Sequence, residues 1–332
     1  MDEIQLALAQ ISFLSLKEKI ILRKNLDSLD KLALMSMEDI SQAVGRVVNP
    51  EFWNGKQIAA EAKKSAYIMQ HMGIRAVLYD EAEYPALLRE IFNPPYMLFY
   101  RGEISVLAKK CVSVVGTRRI CRECAQAAFS FAKDAALDGL TVVSGLAYGT
   151  DTYAHKGALA AVEAGGCTGT TAAILPCGID TIVPSANKTL VQHILKTGGC
   201  VASEYIPGTD SEPWRFVQRN RIIAALSPAT VVIQAPPGSG ALLTAQFAIE
   251  ENRELFFHTS GQCEEAKKTE RVAEQLLKAS KKSGKAFKLE HTSERYVTEG
   301  AHECKDYADF VRELDAPPGK TRSNKEKQPG LF

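Results

Sequence analysis

Along the first seventy positions the apolar residues recur at three- and four-residue spacing. LALAQISFL, KEKIILRKNL, MEDISQAV and GKQIAAEAKKSAYIMQHM each lay one apolar stripe along a helix, and Ser36 and Asn54 are natural helix starts. Residues 1–70 are therefore read as a small helical domain. The pattern breaks over 73–110, where an apolar run, a turn at Pro85, a short helix and the pair Pro94-Pro95 lead into a second apolar run, a bridge packed against the next segment of the chain. From Cys111 the period changes again. The short apolar runs CVSVVG, TVVSG, TAAILP, CVASE, ATVVIQA and ELFFHTS alternate with segments near 120–138, 150–164, 186–198, 217–226 and 240–252, each long enough for a crossover helix. Strands buried on both faces and joined by helices predict an α/β fold with a mostly parallel open sheet over 71–262. Beyond it, 263–316 offers a charged helix in TERVAEQLLKASKK, a strand in AFKLEHTSERYV and a short helix in YADFVREL, with no helix-turn-helix pattern. The proline, glycine and charge of 317–332 predict a flexible tail.

Composition narrows the function classes. The 332 residues are 45% hydrophobic, enough for a substantial core, and 40 basic against 39 acidic residues leave a formal charge of +1. Whole-chain electrostatics would not drive this protein onto a polyanion, so any such site must be local. No window supplies the roughly 18 uncharged apolar residues of a membrane span, and the N-terminus begins acidic, so the cytosol is the expected compartment and no membrane is expected as a partner. The eight cysteines are scattered, several in strand-like runs where a thiol acts as a small hydrophobe. Cys121 and Cys124 form one CxxC with no second pair at zinc spacing, which favours structural thiols over a metal or redox site.

In an open parallel sheet ligands bind beyond the carboxyl ends of the strands. The unusual loops lie there: GTRR, SGLAYGTDTYAH, PCGIDTIVPSAN, SEYIPGTDSEPWRFVQRNR and APPGSGALLT. Gly116, Gly145 and Gly240 permit close backbone approach, while Thr150 and Thr244 place hydroxyls near helix starts, where unpaired amides favour anions. Arg215, Arg219 and Arg221 stand beside Trp214 and Phe216, so cations for phosphate and rings for bases fall within eight residues. Arg219 and Arg221 flank Asn220 at an expected helix start, and one of them could instead pair with Glu204. Trp214 is read as a packing residue, Phe216 as the stacking platform, and His155 as a core histidine rather than a catalytic one.

These motifs together carry a resemblance. VVGTRR, SGLAYGTDTYAHKGAL, ILPCGIDTIVPSANKTL, SEYIPGT, FVQRNRIIAALS and PPGSGALLTA, in this order and spacing, closely resemble the DprA/Smf family of DNA-processing proteins across 73–261. The resemblance implies an extended Rossmann-like fold preceded by a sterile-alpha-motif-like domain. It also implies a homodimer that binds single-stranded DNA, protects incoming strands during natural transformation, and helps load a RecA-type recombinase. Carried across, Gly116, Thr117 and Arg118 would grip a phosphate. Phe216, Arg219, Asn220 and Arg221 would form the aromatic-arginine element, and Gly238, Ser239 and Gly240, followed by Thr244, the glycine-serine-glycine loop, with Gly145 at the neighbouring strand end. Many relatives end in a winged helix, which 263–316 does not resemble.

Nucleotide enzymes are the rival class, in particular phosphoribohydrolases of the lysine-decarboxylase-like group. GSGALL follows a late strand and has Leu243 where a dinucleotide fingerprint needs its third glycine. PPGSGALLTAQ shares the phosphoribohydrolase outline without the glutamate that acid-base chemistry needs, and no P-loop lysine motif occurs. The expectation is a non-enzymatic protein that needs no cofactor and no metal. An adaptor, in which the helical domain or tail recruits a protein while the sheet holds DNA, is compatible with it.

Overall fold

Side-chain caps fix where the N-terminal helices begin. The computed structural model describes residues 2–49, 52–165, 168–280 and 289–315. Its first five helices are α1 (Glu3–Gln10), α2 (Leu16–Lys24), α3 (Leu29–Leu34), α4 (Met37–Val44) and α5 (Gly55–Met72). Ser36 Oγ accepts the Asp39 amide at 3.1 Å while the Asp39 carboxylate accepts the Ser36 amide at 2.8 Å, a reciprocal cap that opens α4. Asn54 Oδ1 accepts the Gln57 amide at 3.0 Å and opens α5, which stops where Gly73 turns left-handed at φ +62°. The six-residue α3 is too short to show a period, and the sequence pattern did not predict it.

The chain then enters a nine-stranded sheet. In order come β1 (Arg75–Leu78), α6 (Ala86–Arg89), β2 (Met97–Gly102), β3 (Cys111–Val115), α7 (Arg122–Leu137), β4 (Thr141–Ser144), α8 (Thr150–Ala164) and β5 (Thr170–Ile174). Next are α9 (Lys188–Lys196), β6 (Cys200–Ser203), α10 (Pro213–Ala225), β7 (Ala229–Val232), α11 (Gly240–Glu250) and β8 (Glu254–His258). The last elements are α12 (Glu264–Ala279), α13 (Ser293–Thr298), β9 (His302–Cys304) and α14 (Tyr307–Leu314). Spatial order is β1-β2-β6-β5-β4-β3-β7-β8-β9. The strands from β6 through β9 pair in parallel, while β1 and β2 run antiparallel at one edge. The bridge read from sequence is thus part of the sheet. Among the described residues no helix is long and apolar enough to cross a membrane.

Successive strand residues point to opposite faces, so each central strand feeds two cores. Val112 and Val114 of β3 join α7, α8 and Phe310 of α14 on one side, while Cys111 and Val115 join α10 and α11 on the other. Helices α1–α5 pack beside α9 against Tyr96, Met97 and Phe99, at and just before β2. Two sequence expectations change. The motif FVQRNR lies inside α10, because Pro213 at the first turn starts the helix earlier than 217, so Arg219 and Arg221 are not at a helix start. SERYV is helical, forming α13, and the strand expected there is replaced by β9. Positions 286–288 of that expected strand and the tail over 317–332 lie outside the described residues.

Helices α7 and α8 approach closely through small residues, among them Ala128, Ala132, Ala154, Gly157 and Ala158. A Cβ on Gly157 would sit 2.1 Å from the Phe129 carbonyl oxygen, which is backbone and cannot swing away. Alanine would gain about 1 kcal/mol in helix propensity, less than the cost of forcing the two helices apart. Gly157→Ala is expected to lower stability by about 1–3 kcal/mol, read as a shift in the urea midpoint; an unchanged or higher midpoint would show that the helices part freely.

Candidate functional site

The chain runs from β3 outward through β4, β5 and β6, then returns so that β7 pairs with the opposite edge of β3. That reversal leaves a crevice beyond the carboxyl ends of β3 and β7, because the loops after these two strands leave toward opposite faces. A cleft of about 440 Å³ occupies it. Its walls are the turn after β3 (Gly116, Thr117, Arg118, Arg119), the outer part of α10 (Phe216, Arg219, Asn220) and the start of α11 (Ser239, Gly240, Thr244). Three sequence-predicted residues do not line it: Gly145, Arg221 and Gly238.

The turn is held by its backbone. Thr117 N–H donates to the Gln234 carbonyl at 2.7 Å, Thr150 N–H donates to the Thr117 carbonyl at 3.2 Å, and Thr117 Oγ1 accepts the Arg119 amide at 3.2 Å. The buried Thr117 hydroxyl thus shapes the turn, which turns Arg118 and Arg119 outward to solvent. Gly116 is required because a Cβ would meet Thr150 Oγ1 at 2.2 Å. Gly240 is different: nothing lies within 4 Å of a Cβ built there, so the close approach expected from sequence is not present. Gly238, with φ +78°, is the glycine this loop demands. Ser239 caps α11 by accepting the Ala241 amide at 3.3 Å, and Asn220 Nδ2 reaches the Gly240 carbonyl at 3.3 Å, tying α10 to the loop.

Arg219 closes the floor. It is 4% exposed, and its guanidinium donates to the carbonyls of Gly145 (2.8 Å) and Ile174. Asp151 lies on the other side of Gly145, accepting the amides of Gly145 at 3.2 Å and Ala147 at 3.1 Å. A Cβ on Gly145 would come within 2.7 Å of the guanidinium and 2.8 Å of the carboxylate, so this glycine serves the floor and not the ligand. Burial pushes the Arg219 guanidinium down to about 10 while Asp151 supports its charge; it stays cationic at neutral pH. Burial pushes the Asp151 carboxyl up, against the pull of Arg219 and the two amides. His155 is fully buried beneath, its Nδ1 2.7 Å from Thr171 Oγ1, and burial together with Arg219 lowers it to about 3, so it is a neutral core residue.

The phosphate cradle expected from Arg118, Arg219 and Arg221 is therefore not one surface. Arg219 commits its donors to backbone carbonyls. Arg221 pairs with the half-buried Glu204 and faces a second hollow of about 790 Å³ between α10 and the N-terminal helices. Arg118 is left at the rim, its guanidinium 5.0 Å from the centre of the half-buried Phe216 ring. Trp214 also departs from expectation: it is 48% exposed, stacked under Arg215 at 4.9 Å, on the side of α10 away from Phe216. Arg119 stands within GTRR, yet the sequence alone assigned it no role; the second arginine of that pair was the available signal.

A model of the DNA recombination-mediator protein A family matches residues 75–290, which includes every wall of the cleft. The chain belongs to that family. Among curated members, Protein Smf of Borreliella burgdorferi is 26% identical over 295 residues, 89% of this chain and 91% of that one. DNA processing protein DprA of Streptococcus pneumoniae is 39% identical over 173 residues, 52% of this chain and 58% of its own length. The crystal structure of the S. pneumoniae protein superposes with a TM-score of 0.66 at 26% identity, covering 94% of this chain and 98% of that one. A structure of DNA processing protein A from Helicobacter pylori, concerned with its single-stranded DNA binding mode, shares the fold with a TM-score of 0.56 at 24% identity, over 73% of this chain and 95% of that one. These DNA-processing proteins share the sheet on which the cleft is built.

Replacing Arg219 by methionine keeps much of the side-chain volume and removes the charge, leaving two carbonyls and the Asp151 carboxylate without their cation. Arg219→Met is expected to cost about 3–5 kcal/mol in urea unfolding, partly recovered when Asp151→Asn is added. A near-neutral single substitution would mean that the floor does not depend on this charge.

Proposed function

We propose that the cleft binds single-stranded DNA without sequence preference and that the protein is not an enzyme. The observation that carries this reading is the rim: Arg118 stands over the Phe216 ring, and the exposed Arg119 lines the same cleft, above a buried cation and next to the N-terminus of α11. Arginine offers a two-pronged donor to phosphate, and an aromatic face accepts any base at about 1–3 kcal/mol. The exposed Arg118–Phe216 contact is worth about 0.5–1 kcal/mol, so an arriving base and phosphate can separate the two and engage each. The chain's near-zero net charge supports a local site over a general basic surface.

Among the described residues the one carboxylate lining the cleft is Asp151, and it is buried and committed to two backbone amides, which supports binding without acid-base chemistry. Family membership and the subject of the H. pylori structure support the choice of ligand. Within this reading a cytosolic homodimer shields incoming strands through the region 71–262 and passes them to a RecA-type recombinase, with the helical domain 1–70 free to serve as an adaptor.

Fluorescence anisotropy with oligo-dT and with a mixed-sequence strand, at several salt concentrations, tests the rim. Arg118→Ala is expected to weaken both ligands alike and to reduce the salt slope by about 0.7 per lost phosphate contact, with the urea midpoint unchanged. Wild-type affinity and slope in that variant would sink the assignment. Release of free base from a nucleoside monophosphate, abolished by a substitution in the cleft, would replace it with the phosphoribohydrolase reading.

A further inference from the structure

The CxxC that the sequence pairs with nothing acquires a third thiol in the fold. Cys121 occupies the N-cap position of α7, Cys124 sits in that helix's first turn, and Cys263, 142 residues after Cys121, caps the N-terminus of α12. The three Sγ atoms lie within 4.8 Å of one another, and those of Cys121 and Cys263 are 3.7 Å apart. Two tetrahedral thiolate ligands at about 2.3 Å from a zinc ion stand about 3.8 Å apart, so the sulfurs already have the spacing of ligands to one metal.

We propose that Cys121, Cys124 and Cys263 form a binding site for a single thiophilic d¹⁰ cation such as Zn²⁺, with a fourth position open to water. Cys121 and Cys124 are buried and Cys263 is half-buried, so the cluster is largely sheltered and Cys263 is its most solvent-accessible member. Two sixteen-residue helices aim their N-termini at the cluster, and their unpaired amides favour the anionic charge that three thiolates around a dication carry. A disulfide would use two of the sulfurs and leave the third without a role, whereas a metal uses all three.

The cluster is braced from outside. The Cys121 amide donates to Gln234 Oε1 at 3.0 Å and Cys263 Sγ accepts the Ala266 amide at 3.4 Å, while the Cys124 thiol donates to the Ser260 carbonyl at 3.1 Å, a bond that metal ligation replaces. Burial raises the Cys124 and Cys263 thiols, so without metal they are protonated. Binding then displaces protons: each metal–sulfur bond replaces the S–H bond of a protonated thiol and the proton passes to solvent, so affinity rises with pH. Cys121 closely follows the GTRR turn, which would let the ion anchor the DNA-facing loop to the helix that begins the C-terminal segment.

The full chain, reduced and stripped with a chelator, is titrated with Zn²⁺ against a chromophoric competitor, and with Co²⁺ for its thiolate charge-transfer and tetrahedral bands. Wild type is expected to take one equivalent, more tightly at pH 8 than at pH 6, with a rise in melting temperature. Cys124→Ser and Cys263→Ser are each expected to weaken binding about 100-fold or more, while Cys111→Ser, outside the cluster, leaves it unchanged. Serine is a good N-cap, so Cys263→Ser keeps the fold and separates ligand loss from unfolding. The proposal is overturned if wild type binds no more Zn²⁺ than Cys263→Ser. It is equally overturned if the isolated protein carries a Cys121–Cys263 disulfide and, once reduced, takes up no metal.

Discussion

A buried guanidinium at the point where the sheet reverses direction organises the site. Arg219 comes from α10, yet its donors reach the ends of two other units, the Gly145 carbonyl after β4 and the Ile174 carbonyl of β5. An unpaired buried charge would cost several kcal/mol. Here carbonyl dipoles and the nearby Asp151 offset that cost, and Asp151 in turn holds the loop that leads into α8. Gly145 must lack a side chain because the cation and the carboxylate crowd the place a Cβ would occupy.

This divides the arginines by energy rather than by proximity in sequence. Arg219 is committed to the interior, Arg221 to Glu204, and Arg215 to the carbonyl of Asp210 and the rings of Tyr205 and Trp214. A group already satisfied inside the protein gains little by turning to a ligand. Among the described residues, Arg118 and Arg119 are held by the shape of the turn and by one weak ring contact, so they have free energy to give a ligand. The buried charge still matters to a ligand, since a cation below a half-buried cleft is screened less than one in open water.

Much of this was legible in the chain. The alternation of apolar runs and helix-length segments marked the central parallel strands, and the glycine and arginine loops fell at their carboxyl ends because that is where such a sheet opens. Periodicity could not show which arginine points inward: Arg219 and Arg221 differ by two residues, and only the depth of α10 against β5 sends one under the cleft and the other to Glu204. Nor could it show β9, a three-residue strand whose pairing with β8 is set by packing. The fold also joined Cys263 to a CxxC 142 residues away, a separation at which spacing rules carry no signal. Trp214 was misjudged because a tryptophan's average burial says nothing about a first-turn helical position whose neighbours are Glu212 and Arg215.

On the proposed reading DNA lies in the cleft between the turn after β3 and α10, with a base on Phe216. Photocrosslinking with an oligo-dT strand carrying 5-iododeoxyuridine, followed by mass spectrometry of the crosslinked peptides, tests it directly. Phe216 is expected to be the principal adduct, competed away by unlabelled strand. Adducts confined to the opposite side of α10, at Trp214 or Tyr205, with none at Phe216, would contradict it.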